Sequence, residues 1–120
     1  MLTREPDFEA EVRFLGEAEG GRSQPKQGYH ADIHWDADSS NAIWMVWPQF
    51  LDDAGSELAE GAEVPQMCRA HFYVVSPQTH SLLAQQSWLR EGTRFHITEG
   101  NHRVAVCRVT NIFGASNAKT

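Results

Sequence analysis

Apolar and polar positions alternate without a break from Phe8 to Phe14, and Gly16 ends the segment. Phe8, Ala10, Val12 and Phe14 fall on one side of an extended chain, and Glu9, Glu11 and Arg13 on the other. Side chains two residues apart share one face of a strand, so the pattern predicts a half-buried β-strand. Glu17 to Gln27 then reads as a long loop punctuated by Gly and Pro. Alternation resumes from Tyr29 to Ala37. Tyr29, Ala31, Ile33, Trp35 and Ala37 make an apolar face, and His30, Asp32, His34 and Asp36 make a wholly polar one. After a turn at Asp38-Ser39-Ser40-Asn41, Ala42 to Trp47 predicts a short strand, apolar on both faces and closed by Pro48.

Phe50 to Val64 is acidic and glycine-bearing, and reads as a surface excursion with room for one helical turn. Gln66 to Val75 returns to period two, with Cys68, Ala70, Phe72 and Val74 set against Arg69, His71 and Tyr73. His80 to Glu91 is the only stretch with helical spacing: Leu82, Leu83, Gln86 and Leu89 form a stripe, and Gly92 stands at the C-terminal cap position. Thr93 to Thr98 predicts a strand with Phe95 and Ile97 inward. Glu99-Gly100-Asn101-His102 predicts a tight hairpin, and Arg103 to Phe113 the last strand. The sum is six strands and one short helical insert, with no internal repeat. Short strands separated by turn signals predict an all-β protein, an antiparallel barrel or sandwich.

Composition narrows the reading. A chain of 120 residues with 41% apolar residues is one domain with one core. The apolar runs are too short to cross a bilayer as a helix. Met1 to Pro6 has no apolar signal region, and Cys68 and Cys107 are too few for a disulfide framework, so a cytoplasmic chain with buried free thiols is expected. The net charge of −6 disfavours an unaided grip on nucleic acid, where cationic side chains must displace phosphate counterions.

The candidate chemistry is sparse. His30, Asp32 and His34 share one strand face, spaced about 7 Å apart, and imidazole with carboxylate suits a divalent ion such as zinc. A solvated polar face gives the same pattern, so no metal or other cofactor is assigned, and this set stays an alternative that His71 or His102 would complete. Trp35 and one of Trp44 and Trp47 belong in the core. Those last two point to opposite faces of a regular strand, so one can mark a contact surface; Trp88 lies on the helical stripe. There is no phosphate-binding Gly-rich motif, no nucleophile elbow and no Cys–His pairing signature, so no enzymatic activity is expected.

Two end motifs carry a resemblance. Phe8 to Val12, then Glu19-Gly20-Gly21-Arg22 with Pro25 and Gly28-Tyr29, open the chain. Gly92, Arg94-Phe95, Ile97, Glu99-Gly100, Val104 and Val109 close it. Their order and spacing resemble the C-terminal domain of elongation factor Tu over roughly residues 7 to 114, with Val64-Pro65 as the middle anchor. The resemblance implies a six-stranded antiparallel β-barrel within a single domain, residues 1–120. It also implies a protein-docking region at Gly20, Gly21, Arg22, Tyr29, His30, Arg94 and His96, where that family's barrel meets its GTPase domain. RNA contact is implied at Gly100, Asn101, His102 and Arg103, beside the family's tRNA site. The GTPase domain has no counterpart here, His30 replaces the family's Arg, and Ala105 and Cys107 replace its small glycines. A stand-alone, non-enzymatic binding module with a protein partner is therefore expected. The alternatives are an RNA-contacting module using Arg22, Arg94, His102 and Arg103, or an inhibitor or immunity-type protein presenting the acidic Asp52 to Glu63 surface.

Overall fold

In a computed structural model, the first alternating segment becomes β1 (Phe8–Phe14), with its four apolar side chains sealed inside. The structure describes residues 6–16, 25–36, 44–75, 90–99 and 102–113. β2 (Ala31–Trp35), β3 (Trp44–Phe50), β4 (Met67–Val74), β5 (Arg94–Glu99) and β6 (His102–Ile112) follow. All neighbouring pairs are antiparallel, and the order β1-β4-β3-β2-β5-β6 closes into a barrel. Closure removes the sheet edges that would otherwise present unpaired backbone.

The barrel interior is filled mainly by aromatic rings. Phe8 stacks on Phe72 at 5.1 Å, and Phe95 meets both edge-on at 5.7 and 5.3 Å. Trp35 leans on Phe8 and Phe95, and Trp44 closes over Trp35. Phe14 and Phe50 fill the region beyond, at 5.6 Å. Offset and edge-to-face pairs of this kind add about 0.5–1.5 kcal/mol each beyond the area they bury. Asp7 ties the start of β1 to its neighbours. Its carboxylate accepts from the Val74 amide at 2.7 Å, its own amide donates to Phe72 and its carbonyl accepts from Phe113.

Both cysteines are free, Cys107 buried and Cys68 half-buried. They flank Val12 on opposite sides, one on β4 and one on β6. Two strand spacings put their Cα atoms about 10 Å apart, beyond the roughly 7 Å that a disulfide spans. Burial pushes the Cys68 thiol up to about 11 and raises the Cys107 thiol as well.

Several sequence expectations need correction. β3 does not stop at Pro48 but runs to Phe50. The Phe50 amide faces Gln27, while the Leu51 amide faces Arg69 of β4. Pro48 shares the parity of Phe50, so its missing N–H points away from β4 and the β3–β4 ladder loses nothing. β2 begins at Ala31, so Tyr29 and His30 precede the strand. The 51–66 excursion has no helix and is not merely surface: Leu51 and Val64 are buried. Among the described residues there is no helix at all, hence none able to cross a membrane. The helical insert expected over His80 to Glu91, with Trp88, falls outside the described residues except at its end.

The excursion is fastened by backbone bonds to the segment before β2. Gln27 donates to Ala62, Val64 donates to Pro25, and Gly61 donates to Gln27. This brings Gln27 into a seam in the barrel wall. β2 pairs with β3 only through Ala31, Asp32 and Ile33. Further along β3 the side chain of Gln27 fills the strand's place.

Candidate functional site

Strand register lines up one row of side chains across the outside of four strands. Val75, just past β4, donates its amide to Met45 of β3; Met45 opposes Asp32 of β2; Asp32 opposes Thr98 of β5. A second row lies beside it, where Trp47 of β3 opposes Tyr73 of β4. The His30 and Trp47 rings meet edge-to-face, their centroids 4.7 Å apart. Together these rows form a cleft of about 370 Å³ lined by His30, Asp32, Met45, Trp47, Val75, Thr98 and Glu99.

The apolar content of this outer face is unusual. Met45 is 61% exposed and Val75 52% exposed, side by side on adjacent strands. An outward strand position normally carries a polar side chain, and contiguous exposed apolar surface marks an interaction site. The polar end of the cleft is organised by Tyr29, whose hydroxyl donates to the Glu99 carboxylate across 70 residues of sequence. That bond links the segment entering β2 to the β5–β6 hairpin, where Glu99 and His102 pair.

The residues expected at a docking region are only partly brought together. Tyr29 and His30 belong to the cleft or its wall. His96 lies two positions further back on β5, where it opposes His34 and bonds the Asp36 carboxylate through Nδ1 at 2.8 Å. Arg94 belongs to another surface. It opposes Arg108, which opposes Glu11, which opposes Arg69, so a charged row crosses β5, β6, β1 and β4. With Arg13 these side chains line a separate groove of about 450 Å³ that also includes Asp52 and Asp53. Arg108 is held by Glu11 at 2.6 Å, and Arg69 reaches Glu9 at 3.4 Å. Gly20, Gly21, Arg22, Gly100 and Asn101 lie outside the described residues. His102 and Arg103 are exposed at the start of β6.

Among the described residues, His30, Asp32 and His34 are not gathered into one cluster. His30 turns to Trp47, and His34 faces His96 on the next strand. Among the described residues no three His, Cys, Asp or Glu side chains converge on one point. The acidic excursion is likewise partly engaged in structure. Asp52 caps a turn by accepting from the Ala54 and Ser56 amides, and Glu57 accepts from the Tyr73 hydroxyl and faces His71.

The fold defined by these observations is a closed six-stranded antiparallel barrel bearing an apolar cleft with acidic groups on one outer face. No protein-family model matches the chain, and no curated protein matches it.

Met45 and Val75 were the site residues that pattern reading missed. The signal was present: Ala42 to Trp47 is apolar on both faces, and Val74-Val75 must send one valine outward. Which face of β3 met the core required the register.

Proposed function

We propose that the protein is a non-enzymatic binding module that docks a protein partner on the cleft between β4, β3, β2 and β5. The observation that carries this reading is the exposed Val75–Met45 pair beside Trp47 and His30. Aromatic and Met side chains at the centre of a patch with a polar rim are the usual composition of a protein interface. The thiols support a non-catalytic reading, because burial keeps both protonated at neutral pH and the thiolate is the nucleophile. We also read the barrel as similar to the C-terminal domain of elongation factor Tu. The six strands and the two-residue gap between Glu99 and His102 agree with that reading, which makes a translation-related partner the first to try.

The test is affinity capture from cell lysate, comparing the native protein with the Met45→Asp/Val75→Asp variant. A partner retained by the native protein and lost by the variant is the expected result. Equal retention by both removes this cleft as the docking site.

A second reading has its own observation, the arginine row. Arg94 gathers with Arg13, Arg69 and Arg108, four of the 10 cationic side chains, on one outer face. This is a different set from the Arg22, Arg94, His102 and Arg103 surface expected for RNA contact. Two of the four are tied to Glu9 and Glu11, and Asp52 and Asp53 share the groove, so the local excess of positive charge is small. Filter binding of tRNA across a salt series decides it: RNA contact requires retention that falls as salt rises, and Arg94→Glu must weaken it.

A further inference from the structure

We propose that the cleft recognises a cationic side chain, Lys or Arg, carried on an apolar segment of the partner. This rests on the docking reading above and specifies the chemistry of what docks. The cleft has two chemically distinct ends. One is the Met45–Val75 ledge, over which an aliphatic stem or a neighbouring apolar residue can lie. The other holds the carboxylates of Asp32 and Glu99, with the His30–Trp47 ring pair as one wall.

Among the described residues no Lys or Arg lines this cleft, in contrast to the arginine-bearing groove on the other face. Arg103, opposite Thr98 on β6, is the nearest cation by register and stands outside the lining. Asp32 thus brings a negative charge to a wall that holds no cation of its own among those residues. Glu99 adds a second carboxylate; it accepts from the Tyr29 hydroxyl, and a carboxylate has capacity for several donors. An incoming guanidinium or ammonium supplies further donors through charge-assisted hydrogen bonds, and its plane or point charge can lie against the indole wall. Its methylene stem stays on the apolar ledge while the charged head reaches the acidic end. The net charge of −6 adds long-range attraction for a basic segment.

The experiment selects a phage-displayed library of random 12-residue peptides on the native protein, with counter-selection on the folded Met45→Asp/Val75→Asp variant. Peptides that need the ledge are then measured against Asp32→Asn/Glu99→Gln, in which the introduced amide oxygen still accepts from Tyr29; Asp32→Asn alone serves if the double variant does not fold. The expected result is enrichment of Lys or Arg next to an aliphatic or aromatic residue, with affinity falling at least about tenfold in the neutralised variant. Ledge-dependent peptides without a cation, or with affinity unchanged by neutralisation, overturn the cationic specificity and leave the docking reading standing. Recovery of no ledge-dependent peptide overturns both.

Discussion

Gln27 reads the backbone of Phe50 in both directions. Its side-chain oxygen accepts from the Phe50 amide at 2.9 Å, and its side-chain nitrogen donates to the Phe50 carbonyl at 3.2 Å. The same nitrogen donates to the Leu58 carbonyl at 3.0 Å. A single buried amide thus does the work of a strand residue where β2 has not yet begun, and it holds the 51–66 excursion to the barrel wall.

Gln27→Ala leaves one buried N–H and two carbonyls without that partner. At about 1–3 kcal/mol for an unsatisfied buried group, a loss of about 2–4 kcal/mol is expected, since water will rescue part of it. Gln27→Glu should cost at least as much, because the replaced nitrogen was the donor to both carbonyls. Urea unfolding followed by Trp fluorescence measures both. A midpoint within error of the native protein for either variant would show that the seam is not held by this side chain.

Gly28, next in sequence, has a φ of +99°, and a Cβ there would run into the Glu60 carboxylate. That carboxylate sits at the end of a flexible side chain and can swing away. The backbone cannot, so the cost of Gly28→Ala is the left-handed conformation, about 1–2 kcal/mol. Gly16 has open space around its Cβ position and no such φ, so Gly16→Ala is the matched control and should stay within about 0.5 kcal/mol. Equal destabilisation by the two would refute the conformational argument.

The thiols give a pH-dependent prediction. With the Cys68 thiol pushed up from 9.0 to about 11, its thiolate fraction near pH 8 is about 0.1%, against about a tenth for an unfolded cysteine. Iodoacetamide labelling of the folded protein at pH 8 should therefore be about 100-fold slower than in denaturant, and should speed up about tenfold per pH unit until the thiol titrates. The sign for stability follows: a raised folded value contributes stability present below pH 9 and lost as pH rises through about 11. Native labelling within a few-fold of the denatured rate would contradict the burial.

Much of the barrel was legible because period-two patterning survives wherever a strand has one face inside. β1 is the clear case: it begins at Phe8 as the pattern requires and ends at Phe14, just short of the Gly16 stop. Legibility failed where a side chain replaced backbone. Nothing about Gln27 in a Gly/Pro-bearing loop marks it as buried, and its partner Phe50 is 23 residues away. Pro48 looked like a terminator because the rule concerns a missing donor, and only the register reveals which side that donor would face. The candidate site divided in the same way. Tyr29 and His30, taken from the family resemblance, lie at or beside the proposed cleft, whereas Arg94, taken with them as one surface, lies over a different groove. Bulges in β6, which bury both Val104 and Ala105, add a displacement that alternation alone cannot foresee.

The most direct test of the docking surface compares two exposed methionines on different faces. Met45 is 61% exposed at the proposed cleft, and Met67 is 70% exposed beside the arginine-bearing groove. A photo-crosslinking amino acid is placed at each position in turn, and living cells expressing the protein are irradiated. The expected result is a discrete crosslinked protein species from position 45 that is absent from position 67 and disappears when Val75→Asp is added. A species formed from position 67 and not from 45 would contradict it, as would one from position 45 that survives Val75→Asp.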